Sequence, residues 1–144
     1  MKDQTENQID SETTNRVAIT PEAAVMVRKL KAQHGALLFH QSGGCCDGSS
    51  PMCYPLGEFR VGAQDILLGE IEGCPFYIGA AQFEHWKHTH LTVDMVPGRG
   101  GGFSLEAPEG VRFLTRSRVF SEKEGRLVEE LCPLVRGDGV AKRA

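Results

Sequence analysis

Cys45 and Cys46 stand side by side between Gly43-Gly44 and Asp47-Gly48, and Cys53 follows after six intervening residues. Thiolates are soft metal ligands and good nucleophiles, and the flanking glycines permit positive φ and close backbone approach. The loop therefore suits a metal or a reactive thiol. The spacing is not the CxxC of a zinc ribbon, and adjacent cysteines make a poor structural staple. A second group, Glu84-His85-Trp86-Lys87-His88-Thr89-His90, gathers three of the five histidines. On a strand His88 and His90 share a face; on a helix His85 and His88 would share one instead. His40, just ahead of the cysteine loop, adds a fourth imidazole.

Should the two segments converge, Cys45, Cys46, Cys53, His40, His88 and His90 would form a mixed sulfur and nitrogen ligand set, with His85 less well placed. Such a set suits mononuclear zinc or iron better than magnesium or calcium. An open coordination position would permit catalysis, with Asp47 or Glu84 as an assisting base. Other motifs carry less. Pro97-Gly98-Arg99-Gly100-Gly101-Gly102 lacks the Lys-Ser/Thr of a P-loop and has no expected helix after it, so it reads as a hairpin turn. No G-x-S-x-G occurs. Arg112, Arg116 and Arg118 read as a solvated strand face, and Cys74 and Cys132 as structural thiols.

The elements that must position these groups begin with a helix. Thr20 is the expected N-cap, Pro21 fits the first helical position, and Glu22 favours the positive end of the dipole. Ala23, Val27 and Leu30, with Ala24, make a core-facing stripe, and Gly35 is a natural stop. Beyond it the pattern predicts strands at 36–41, 58–61, 66–71, 76–78, 89–96, 103–106 and 111–120, with 42–57 as a long loop. Leu91, Val93 and Met95 share one face of their strand, as do Val111, Phe113 and Val119. The expected fold is α+β and mostly β: a β-sandwich or barrel-like core with one N-terminal helix packed on it. Residues 1–16 are expected to form a disordered arm. Residues 17–120 form a single domain, and 121–144 a tail with a short helix near Leu127–Leu131.

The chain has 144 residues, 40% of them apolar, and a net charge of −3, enough for one core. A mildly acidic balance with no basic face argues against nucleic acid as a partner. No apolar run is long enough to span a bilayer, and the polar N-terminus lacks a signal peptide, so a cytoplasmic address without membrane association is expected. In that compartment five cysteines are expected to be thiols, ligands or redox groups.

Phe39 to Cys53, Trp86-Lys87-His88-Thr89-His90, Gly102-Phe103-Ser104-Leu105-Glu106 and Arg112 to Arg118 resemble the blocks of a small bacterial family of undefined biochemical role. The resemblance covers about Ile19 to Glu122. Members are commonly encoded beside acetaldehyde or other NAD-dependent aldehyde dehydrogenases, which implies an accessory role and a dehydrogenase partner in alcohol or aldehyde oxidation. The chain is itself too short for that enzyme and has no G-x-G-x-x-G fingerprint. In order of elements it also resembles the A-type (HesB-like) iron–sulfur carriers. A Thr-Pro-initiated helix precedes a strand and a Gly-Gly-Cys loop ending in Cys45. An Asp65-Ile66 strand, a Leu91-to-Asp94 strand and a Gly102-Phe103-Ser104 turn follow. The carriers' second motif, Cys-Gly-Cys, is missing from Glu109 to Thr115, which favours a mononuclear site completed by Cys46, Cys53 and the histidines over an iron–sulfur cluster.

Three functions fit: a metal-binding accessory or maturation protein, a small thiol- or metal-dependent enzyme acting on aldehydes, and a thiol redox sensor switching at Cys45 and Cys46. The arginine-bearing strand face and small core permit a homodimer.

Overall fold

A computed structural model describes residues 15–41, 49–58, 61–98, 104–132, 134–136 and 141–142. Helix α1, Pro21–His34, begins and ends where the local chemistry dictates. The Thr20 side chain accepts a hydrogen bond from the Ala23 amide at 3.2 Å, and Gly35, at φ 82°, donates its N–H to the Lys31 carbonyl. Ala23, Ala24, Val27 and Leu30 are buried. The cap also ties the helix to the rest of the protein: Thr20 Oγ1 donates to Asp94 Oδ1 at 3.0 Å, and Thr20 N donates to the Val93 carbonyl.

Two open sheets carry the rest of the architecture. In the three-stranded sheet, β6 (Thr89–Pro97) lies between β1 (Val17–Ile19), which it meets in parallel, and β7 (Val111–Val119), which it meets antiparallel. The larger sheet has the order β3-β2-β5-β4-β8-β9. Its strands are β2 (Leu37–Gln41), β3 (Met52–Pro55), β4 (Asp65–Ile71), β5 (Cys74–Gly79), β8 (Leu134–Arg136) and β9 (Ala141–Lys142). Neither sheet closes on itself, so the barrel-like alternative does not hold; the strands bury their faces by stacking. Phe39 of β2 stands edge-on to Phe113 of β7, with ring centroids 5.3 Å apart, and stacks at 6.1 Å on Phe76 of β5. Around them one core takes in Val17, Leu91 and Val93 from the small sheet, Ile66 and Ile78 from the large one, and Val27 and Leu30 from α1.

The β4–β5 hairpin turns through Glu72 and Gly73, both at positive φ (50° and 76°), the geometry that matches the strand twist. Helix α1 holds that turn: Lys31 Nζ donates to the Glu72 carbonyl and Arg28 pairs with the Glu72 carboxylate, each at 2.8 Å. Beyond the bulge in β4, a Cβ on Gly69 would lie 3.2 Å from Val17 Cγ1, so the missing side chain admits β1 against this strand.

Several expectations need correction. The core carries three helices among the described residues rather than one principal helix. Helix α2, Ala80–Trp86, follows β5 directly and buries Phe83 and Trp86. Helix α3, Glu122–Leu131, begins five residues earlier than the short helix expected near Leu127. Ser121 caps it, accepting from the Glu124 amide while the Glu124 carboxylate accepts from the Ser121 amide, a reciprocal capping box. The segment read wholly as loop contains β3, paired antiparallel with β2 (Phe39 opposite Cys53, His40 opposite Met52). Ser104 to Glu106, expected as a strand, instead lead through a turn into a 3₁₀ turn at Ala107–Glu109. Glu58 lies in a turn, not a strand. Val119, expected on the core face with Phe113, is 72% exposed because β7 runs past the edge of the core at its end. Among the described residues no helix is long and apolar enough to cross a membrane.

Candidate functional site

Strand β2 delivers the chain to the cysteine loop, and alternation along it sorts its side chains between the two faces of the sheet. Phe39 and its partner Cys53 face the shared core. His40 is on the other face, next to Met52 on one side and Tyr77 on the other. Asp65 heads β4, beyond β5, with Leu67 opposite Tyr77 two residues along. The sheet thereby brings together two residues distant in sequence. His40 Nε2 lies 2.6 Å from Asp65 Oδ1, with the imidazole 6% and the carboxylate 14% exposed. A carboxylate only accepts, so Nε2 carries the proton and donates it. The other Asp65 oxygen accepts from the Gly62 amide at 3.1 Å, which fixes the carboxylate in turn. Such a pair sets both the tautomer and the orientation of the ring.

Cys45 and Cys46, with Asp47 and the glycines around them, lie outside the described residues. Their loop leaves β2 directly after Gln41 and returns at Ser49 and Ser50, which are anchored on β7. The Ser49 carbonyl accepts from the Thr115 amide at 2.8 Å, and Arg112 donates to Ser50 Oγ at 2.7 Å.

Cys53 has a different setting. It is fully buried, and burial, reinforced by the nearby Glu106 carboxylate, pushes its thiol far above the usual range. Its amide donates to Ser104 Oγ at 2.8 Å, and its carbonyl accepts from the Leu105 amide. Ser104 Oγ in turn donates to Glu106, a carboxyl only 1% exposed that also receives the Phe113 amide at 3.4 Å. Burial raises the Glu106 pKa against the lowering effect of the Ser104 bond. Cys74 is buried too, and desolvation raises its thiol pKa. Thiols held protonated in this way are poor ligands and weak nucleophiles, so Cys53 and Cys74 serve the core.

The histidines after Trp86 separate. His85, on α2, and His88, in the turn before β6, are exposed. His90 is buried on β6, donates from Nε2 to Asn15 Oδ1 at 3.1 Å and meets the Phe120 ring edge-on. Burial, and then the Arg118 charge, lower its pKa. His88 and His90 belong to the small sheet and its approach, whereas His40 and Cys53 belong to the large sheet. Among the described residues no three His, Cys, Asp or Glu side chains gather as a metal-binding group. Glu84 is exposed and paired with Lys87 at 3.0 Å.

The arginine-bearing face of β7 is paired internally. Arg116 donates to Asp94 at 2.7 Å, holding that carboxylate below its usual range, and Arg118 grips Glu124 with two 2.8 Å bonds. The residues that sequence reasoning missed are Asp65 as the partner of His40, the buried acid Glu106, and Arg16, which is 6% exposed beside β1. For Glu106 a signal existed: an acidic residue two positions after Ser104 within the apolar run Phe103-Ser104-Leu105.

Among curated proteins none matches the chain. Residues 26–119, from the middle of α1 to the end of β7, match a family described as a domain of unknown function, DUF779. That span takes in His40, Asp65, the cysteine loop, Glu106 and the histidines that follow Trp86, and on the strength of it the chain belongs to the DUF779 family.

Proposed function

We propose that this protein is a cytoplasmic metal-binding accessory or maturation protein serving alcohol or aldehyde oxidation, and that its metal is held at the end of β2 by Cys45, Cys46 and His40. The observation that carries the reading is the buried His40–Asp65 pair, near the end of β2 and five residues ahead of Cys45. A ring nitrogen secured on a carboxylate is the standard outer support of a metal-ligating histidine, and two thiolates with an imidazole suit zinc or iron. When bound, the metal would supply Lewis acidity or a structural clamp on the loop. The chain's own part is clearer: Asp65 fixes the imidazole, Gly62 fixes Asp65, and the Ser49 and Ser50 anchors on β7 hold the far end of the loop. Cys53 is left out of the ligand set because its core position opposes ionisation.

The link to dehydrogenases, and a HesB-like descent of the fold, rest on the resemblance of the sequence blocks and on the Thr-Pro-initiated helix preceding the Gly-Gly-Cys loop. The test is the metal content of untagged protein, freshly isolated. A stoichiometric amount of zinc or iron that disappears in the Cys45→Ser, Cys46→Ser double variant supports the proposal. A folded wild-type protein that neither contains nor takes up either metal would falsify it.

A further inference from the structure

A cleft of about 300 Å³ opens between the start of α3 and the turn that joins α2 to β6. Its described lining comes from the residues around the small sheet and from α3, and none of it from β2. At its wall is Arg16, 94% buried by its 6% relative exposure, and its Nε makes no hydrogen bond. No carboxylate lies within ion-pair distance of it among the described residues. One face of the guanidinium is occupied, lying over the Phe83 ring with its central carbon 5.6 Å from the centroid. A cation–π contact of that kind covers a face and leaves the N–H edge for an acceptor. A buried guanidinium nitrogen without an acceptor is costly, and desolvation lowers the Arg16 pKa.

The remaining walls narrow the identity of that acceptor. Lys87 and His88 add basic character at the rim, while Glu122 and Glu129 also line the cleft and oppose a multiply charged guest. Cys132, and then Glu129, act on Arg16 through space. Phe120 and the fully buried Val128 supply an apolar side, with the exposed Val119 at the same wall. At the N-terminus of α3 the amides of Ser121 and Glu124 are already satisfied by the capping box.

We propose that this cleft binds a small organic monocarboxylate, the carboxylate taking the open edge of Arg16 and a short carbon chain lying against Phe120 and Val128. A planar guanidinium matches a carboxylate in two parallel hydrogen bonds, and a single negative charge is what the two flanking glutamates tolerate. The cleft is at the small end of the range for ligand sites, which fits a guest of a few carbons.

Butyrate is the probe, with butyramide and inorganic phosphate as controls, titrated into isotope-labelled protein and followed by amide shifts. The expected result is saturable movement of the Arg16, His88, Ser121 and Val128 amides with butyrate, no competition from butyramide, and weaker binding of phosphate. Arg16→Met should weaken butyrate at least tenfold. Gly125→Ile is the second variant: Gly125 lines the cleft and a Cβ there meets nothing within 4 Å, so a larger side chain can start there without a clash and is expected to narrow the cleft. It should weaken butyrate as strongly even if Arg16→Met fails to fold. Non-saturating shifts, equal binding of butyramide, preference for phosphate, or full binding by Gly125→Ile would each overturn the proposal.

Discussion

His40 and Asp65 are 25 residues apart in sequence and 2.6 Å apart in space, joined across β5 on the face of the large sheet that turns away from the phenylalanine core. The carboxylate is itself held by the Gly62 amide, so the imidazole is positioned from behind by a short chain of hydrogen bonds. Asp65→Asn removes the charge and keeps the size. In the proposed metal site it should weaken zinc affinity by roughly 10- to 100-fold, measured by competition with a chromophoric chelator, while thermal unfolding in the apo form changes little. Unaltered affinity would show that the pair serves the sheet alone.

Glu106 gives the fold a pH dependence of defined sign. Its folded pKa is raised by burial, so in the window above the ordinary carboxylate pKa the native state holds more protons than the unfolded one. The contribution of this group is therefore unfavourable as pH rises through that window, and absent below it. Urea unfolding of the wild type and of Glu106→Gln between pH 4 and 8, about the range where a raised carboxyl titrates, should show a fall in wild-type stability that the variant lacks. Gln keeps one acceptor oxygen for the Ser104 hydroxyl and gives up the longer bond from the Phe113 amide.

His90 acts in the opposite direction on the pH axis. Burial and Arg118 depress its folded pKa, so its contribution is intact above the unfolded value of about 6.5 and is lost as pH falls through the folded one. His90→Gln, able to keep a donor on Asn15, should flatten the acid-side loss of stability. Direct titration of the His90 ring protons by NMR, giving a midpoint below the ordinary imidazole value of about 6.5, checks the cause separately.

The start of α3 rests on the Ser121–Glu124 box and on the double contact from Arg118 to Glu124, whose side chain is only 4% exposed. Ser121→Ala should cost about 1 kcal/mol by denaturant unfolding. Since Phe120 and Ser121 also line the Arg16 cleft, the same variant should shift amides there while leaving the His40 region unchanged.

Helix α1 was legible because each of its signals is local: Thr20 and Pro21 at one end, Gly35 at the other, and a stripe of small and aliphatic residues between them. Strands β2, β4, β5, β6 and β7 were legible from apolar runs and alternation. Helix α2 was not: it has seven residues, starts at Gly79 without a side-chain cap, and is stabilised by burying Phe83 and Trp86 rather than by its own sequence. Strand β3 was hidden by Pro51 and Pro55, which are tolerated because only one of its edges pairs, with β2, and Ser104 and Leu105 strap the other. The Ser121-x-x-Glu124 box was present and unread. At the candidate site, the cysteine loop and His40 stood out by residue type, but Asp65 could be recognised only once the order β2-β5-β4 was known. The isolation of Arg16 and Glu106 from solvent is likewise set by tertiary neighbours, which local spacing does not encode.

The central claim, that Cys45, Cys46 and His40 share one metal, is met most directly by cobalt substitution followed by absorption spectroscopy. Wild-type protein should take up a single equivalent of Co²⁺ with an intense thiolate-to-metal band and ligand-field bands of a low-coordinate site. The thiolate band should vanish in the Cys45→Ser, Cys46→Ser variant, and the ligand-field bands should shift in His40→Gln. A wild-type spectrum without a thiolate band, or one that His40→Gln leaves unchanged, would contradict it.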